Sequence, residues 1–166
     1  MSDAAIDATR PIDRLLARYG ESHQNGTNEV IHWICVPVIV WTVIALFWSI
    51  PTPAAFAAVP LLNWATIMLS AALLYYVYLS PPLAVGLAFY SSASVALILA
   101  FEGSALAGAL PLWGFALGLF VLAWIGQFVG HEIEGKKPSF LEDLTFLMIG
   151  PAWLLHFAYR KLGLPY

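Results

Sequence analysis

Four histidines are the residues with the clearest capacity for chemistry: His23, His32, His131 and His156. Three or four imidazoles with an optional carboxylate make a donor set that suits Fe(II), Zn(II) or Mn(II). His23 and His32 are nine residues apart, which on one continuous helix is about two and a half turns and places them on opposite faces. A break between them is required, and Gly26 with a Thr27 or Asn28 cap supplies one. Asn28 lies one turn before His32 and can bond a ligand or orient an imidazole. Gln127, His131 and Glu134 follow i, i+4, i+7 spacing and share a face if their helix runs to Gly135. Lys136 and Lys137 follow, able to attract a fatty-acid carboxylate or a lipid phosphate, or to act only as a topology signal. There is no HExxH and no compact histidine box. Histidines at helix ends often bind nothing, and for any one of them that reading stays open.

What can bring these residues together follows from the rest of the chain. Of its 166 residues, 61% are hydrophobic and only 10% charged, against about 25% charged in ordinary soluble domains. No Asp, Glu, Lys or Arg occurs between Glu29 and Glu102, or from Gly103 to His131. At roughly 20 residues per crossing, the first stretch holds three spans and the second one. The expected fold is an all-α integral membrane protein, a single domain over 1–166. Its transmembrane helices fall at about 28–50, 61–79, 83–101 and 111–130.

Residues 11–22 place Ile12, Leu15, Leu16 and Tyr19 on one side and Asp13, Arg14 and Arg18 on the other, predicting an amphipathic helix on the membrane surface. The apolar stretch 144–159 is short and contains Gly150-Pro151, predicting a re-entrant or interfacial helix. Arg10, Arg14, Arg18, Lys136 and Lys137 fall on one side of a four-span bundle, which should be cytoplasmic. All four histidines then come to that end.

Several classes are excluded. A net charge of -3 without a basic run offers no footprint for nucleic acid. The lone Cys35 forms no intramolecular disulfide. Met1 to Thr9 lack the basic start of a secretory signal, so insertion is expected to rely on the spans themselves. The Ala-rich composition reads as bacterial, hence an inner membrane.

Two motifs resemble those of the Mpo1-like family. The first is Tyr19-Gly20-Glu21-Ser22-His23-Gln24-Asn25-Gly26-Thr27-Asn28-Glu29-Val30-Ile31-His32, followed by Val36-Pro37. The second is Gln127-Phe128-Val129-Gly130-His131, then Glu134-Gly135-Lys136-Lys137-Pro138, Leu144 and Gly150-Pro151. Gly26 stands where many relatives have proline. The resemblance implies an Fe(II)-dependent dioxygenase that shortens 2-hydroxy fatty acids by one carbon in alpha-oxidation, with 2-hydroxy acid and dioxygen as substrates. It implies an endoplasmic-reticulum location for eukaryotic relatives. By position, His23, His32 and His131 match the motif histidines that hold the iron; His156 joins them on topology alone. From the residues themselves, a lipid-binding scaffold without enzymatic activity and a bis-histidine haem protein stay as alternatives.

Overall fold

The computed structural model describes residues 10–137 and 144–166. Pro138, Glu142 and Asp143 of the expected polar loop, and the acidic start Met1 to Thr9, lie outside the described residues. Among those described there are seven α-helices and no strand: α1 (Pro11–Gly20), α2 (Gly26–Trp48), α3 (Trp64–Leu79), α4 (Pro81–Glu102), α5 (Ala105–Ala109), α6 (Leu112–Glu134) and α7 (Leu144–Lys161). A 3-10 turn, Ala54–Ala58, links α2 to α3.

Local sequence sets the boundaries. Asn25, in extended conformation, caps α2 by accepting from the Thr27 and Asn28 amides, at 2.9 and 3.5 Å. The cap therefore sits before the Thr27 or Asn28 position expected, and the helix starts at Gly26, because an Asx side chain satisfies amides two and three residues ahead of it. Asn28 is left inside the helix with its side chain free for tertiary bonds. A capping box of Asn63 and Thr66 starts α3, and Ser80 with Pro81 at the first helical position starts α4. Gly135 ends α6 at φ +72°, a left-handed conformation that glycine adopts without steric cost.

α2, α4 and α6, of 23, 22 and 23 residues, are each long and apolar enough to cross a membrane; α3 is apolar but shorter, at 16 residues. The four run antiparallel between two shared ends. At one end the Trp48 indole donates to Glu102 (3.2 Å) and the Trp64 indole to the Pro51 carbonyl (3.1 Å). At the other, the Tyr76 hydroxyl donates to the Met148 carbonyl (2.5 Å) and that of Tyr159 to the Pro82 carbonyl (2.8 Å). Side chains such as Leu74, Phe89 and Leu122 point outward, about two-thirds or more exposed, as lipid-facing positions do. Pro37 lies within α2 without ending it.

The tightest seam joins α2 to α6. A Cβ at Gly126 would lie 2.7 Å from Cys35 Sγ, and one at Gly130 only 2.4 Å from Asn28 Oδ1. These two glycines, four residues apart, form the small-residue spacing that lets membrane helices approach backbone to backbone.

α7 is one continuous helix through Pro151 and lies across the end of the bundle where α3 hands over to α4: Met148 and Tyr159 touch Tyr76 and Pro82, on either side of that turn. α1 packs on it, with Ile12, Leu16 and Tyr19 joining Phe146, Ile149 and Trp153 in one core. The apolar face of α1 is thus covered by protein. Asp13, placed by the spacing on its polar side, is instead fully buried and paired with Arg10, 2.6 Å away. With α7 above it, α1 has two covered sides, and the carboxylate on the second is retained by its own i−3 arginine.

Candidate metal centre

The break at Gly20–Asn25 turns His23 back toward the first turns of α2, and the α2–α6 seam brings in His131. The three rings meet nearly edge to edge: centroids are 4.3 Å apart for His23 and His32, 5.1 Å for His23 and His131, and 5.0 Å for His32 and His131, with interplanar angles of 85°, 73° and 88°. All three are buried, and one ligand atom from each lies within 4.8 Å of the others, an arrangement that could hold a metal ion.

Hydrogen bonds fix which nitrogens are available. His23 Nδ1 lies 2.7 Å from the Tyr19 carbonyl and His32 Nδ1 lies 2.9 Å from that of Asn28. A carbonyl only accepts, so both Nδ1 atoms carry the proton, and both Nε2 atoms are left as bare lone pairs. These two lone pairs face each other at 2.9 Å. Two acceptors at that distance repel unless a cation lies between them, and a shared proton is disfavoured. Burial first, then repulsion from His32, push His23 down to about 3 from its ordinary 6.5, with the Tyr19 carbonyl opposing. Two nitrogens bound to one ion at about 2.0–2.1 Å and at right angles are separated by close to the same distance. The donor set therefore fits a metal. His131 Nδ1 is buried without a hydrogen-bond partner, a further unsatisfied atom in the same place.

The surrounding residues lock this arrangement. Tyr19 stacks on His23 at 4.3 Å and 11°, and Trp153 packs against the same ring at 5.1 Å. Burial holds the Tyr19 phenol well above its ordinary range, so it stays neutral. Glu134, at the end of α6, accepts from the Gln24 and Asn25 amides, each at 2.8 Å, and from Asn28 Nδ2 at 3.1 Å. One carboxylate thus ties the His23 loop, the first turn of α2 and the helix bearing His131. The Tyr19 and Asn28 carbonyls are the contacts that fix the tautomer and direction of the imidazoles, and Glu134 holds together the segments that carry them.

Gln127 is buried one turn before His131, and its Nε2 has no hydrogen-bond partner. Lys136 and Lys137, with His131, line a cavity of about 290 Å3; the Lys136 ammonium also donates to the Glu21 carbonyl (2.5 Å). His156 is not brought to the cluster. Its Nδ1 is bonded to the Trp153 carbonyl (2.7 Å) and its ring packs on Phe157 and Tyr166, so Trp153 stands where a fourth imidazole was expected. Burial lowers its pKa. Tyr19 and Trp153, which both pack on His23 and on each other, are not predicted as site residues by the sequence, nor is the Gly126/Gly130 pair. The glycine spacing was the available signal for the latter, and the four-residue step from Tyr19 to His23 for the former.

The chain is all-helical among its described residues, with three helices long and apolar enough to cross a membrane and a buried three-histidine cluster that could hold a metal ion. The sequence pattern described as "2-hydroxy-palmitic acid dioxygenase Mpo1-like" matches residues 9–162, and the chain belongs to the Mpo1-like family. No curated protein and no solved structure matches it.

Proposed function

We propose that the protein is a membrane-embedded Fe(II) dioxygenase that shortens 2-hydroxy fatty acids by one carbon, with His23, His32 and His131 as its metal ligands. The observation that carries this reading is the pair of Nε2 lone pairs facing each other at 2.9 Å, in a member of a family described as 2-hydroxy-palmitic acid dioxygenase. Iron supplies Lewis-acid binding of the 2-hydroxy carboxylate and one-electron chemistry toward dioxygen. The overall change balances without a second reductant: the 2-hydroxy acid plus O2 gives the acid one carbon shorter, CO2 and water. The C1–C2 bond breaks and the substrate provides all four electrons, so no 2-oxoglutarate is needed.

The chain's own groups position the reactants. The Tyr19 and Asn28 carbonyls hold the two Nδ1 protons, aiming both Nε2 atoms inward. Glu134 and Asn28 brace the His23 loop against α6. Lys136 and Lys137, in the wall of the cavity that reaches His131, attract the carboxylate. The rings of Tyr19 and Trp153 exclude water from His23. His156 is outside the ligand set in this reading.

The same proposal has four crossings within one domain. α3 supplies the fourth, since it runs between the same two ends as α2 and α4, and α1 and α7 lie at the interface. The basic residues Arg10, Arg14, Arg18, Lys136 and Lys137 then face the cytoplasm with the histidines, in a bacterial inner membrane or, in a eukaryote, the endoplasmic reticulum.

Anaerobic loading with Fe(II), followed by oxygen and 2-hydroxypalmitate, tests the reading. The expected result is one iron per chain and the fifteen-carbon acid, with both lost in folded His131→Ala. A Soret band in the purified protein favours the haem alternative. Absence of bound metal and of product in the wild type overturns the enzyme and leaves a lipid-binding scaffold.

A further inference from the structure

Two cavities lie beyond the histidine cluster, lined by none of its three histidines, and have three wall residues in common. The smaller, about 40 Å3, is bounded by Tyr19, whose ring stacks on His23, and by Gln127. The larger, about 200 Å3, lies between α2, α4 and α7; Val36, Val40 and Pro151 line both. Leu87 and Tyr90 bound its far part. The α4–α7 wall is closed by Gly86, where a Cβ would lie 2.6 Å from Leu155 Cδ2 and 2.7 Å from the Tyr159 hydroxyl.

The chemistry changes along this path. Gln127 Nε2, at the histidine end, is a buried donor with no partner, a state that costs about 1–3 kcal/mol and is relieved by a ligand oxygen. In the larger cavity the Tyr90 hydroxyl is already committed, donating to the Pro37 carbonyl at 2.5 Å. Val36, Val40, Leu87, Leu154 and Leu155 offer a ligand only hydrocarbon. A molecule complementary to both parts carries oxygen at one end and an alkyl chain beyond it.

We propose that these two cavities join past Val36 and Val40 to form the groove for the alkyl tail of the substrate, that the tail ends between α4 and α7, and that Val40 sets the chain length accepted. The proposal rests on the 2-hydroxy acid reading of the site. Val40 is half-buried at the junction, so enlarging it narrows the passage while leaving the histidines and their bracing contacts in place.

The test uses the full chain in phosphatidylcholine nanodiscs without iron, and a sixteen-carbon 2-hydroxy acid bearing a diazirine at its tail end. Photolysis and peptide mass spectrometry are expected to find label on Gly86, Leu87 or Tyr90 or within 151–158, reduced at least fivefold by excess 2-hydroxypalmitate and lost in Val40→Phe. In the iron-loaded enzyme, Val40→Phe is expected to lower kcat/KM for 2-hydroxypalmitate at least tenfold relative to 2-hydroxyoctanoate. Should Val40→Phe fail to fold, wild-type labelling still decides, and Leu87→Phe narrows the same groove. Label confined to outward residues such as Phe89 and Leu122, insensitive to competitor, overturns the groove. So does an unchanged chain-length ratio in a folded variant. Turnover of 2-hydroxypalmitate with label elsewhere rejects the groove and keeps the reaction; competed label in the groove with no turnover of any acid keeps the groove and rejects the reaction.

Discussion

Removing the Glu134 carboxylate tests whether the histidine cluster is held in shape from outside. Glu134→Ala deletes three hydrogen bonds, to the amides of Gln24 and Asn25 and to Asn28 Nδ2. Bonds to a charged acceptor contribute about 1.5–3 kcal/mol each, so the gross loss is roughly 4–9 kcal/mol. Gln24 and Asn25 are exposed, and water replaces the acceptor for their amides; a net cost of about 2 kcal/mol in the metal-free protein is expected. The larger effect is on metal. His23 rides on the loop that Glu134 holds and His131 lies three residues before Glu134 on α6, so loosening the tie releases one ligand from the other two. A fall in affinity of about 10–100-fold is the scale for contacts that orient ligands. Glu134→Gln keeps one oxygen acceptor but turns an NH2 group toward another donor, and should fall between. Thermal unfolding without metal and anaerobic competition against a chromophoric chelator measure the two quantities. Glu102→Ala makes the same charge change at the opposite end of the bundle, where it meets Trp48, and serves as the control for metal affinity. If Glu134→Ala binds Fe(II) within twofold of wild type and unfolds at the same temperature, the carboxylate does not organise the site.

Other expectations follow from the same geometry. Gly130→Ala forces a Cβ to within 2.4 Å of the buried Asn28 Oδ1 and should cost about 1–3 kcal/mol in thermal unfolding, while Gly118→Ala, with nothing within 4 Å, should be neutral or stabilising by up to ~1 kcal/mol. Stability of the metal-free protein should fall with pH. Buried His23 protonates only near 3 in the folded chain but near 6.5 when unfolded, so between those values the unfolded state binds more protons. Melting temperature is expected to decline from about pH 6.5 downward, with a shallower decline in His23→Gln. Arg10→Ala removes the paired cation from the fully buried Asp13 and leaves it the Tyr166 side chain as partner; because Arg10 is itself half-exposed, the expected loss is about 1–3 kcal/mol, read as a lower melting temperature.

The helices and the co-location of three histidines were legible in the sequence because both follow from coarse physics. A chain with no charge between Glu29 and Glu102 has few ways to fold other than as apolar helices. Once spans alternate direction, His23, His32 and His131 fall at one end whatever their separation in sequence. What could not be read depends on side-chain direction across elements that the sequence does not relate. His156 has the correct end, but its Nδ1 meets the Trp153 carbonyl of its own helix and its ring packs on Phe157 and Tyr166. Asp13 looked solvated because one amphipathic helix has one apolar face; burial came from a second covered side. Glu134 had the helical phase to join His131, yet its bonds run to amides of Gln24 and Asn25, more than 100 residues away, and no periodicity encodes them. Gly130 is the instructive case. Its spacing from Gly126 was present in the sequence as a packing signal, but its consequence is chemical: only an absent Cβ lets Asn28 sit between the two helices. There the Asn28 side-chain amide donates to Glu134, while its backbone carbonyl, one turn before His32 on α2, accepts from the His32 ring. The packing of α2 on α6 therefore sets both the Asn28–Glu134 contact and the distance of His131 from His32, and a substitution that separates the helices should be felt first at the metal.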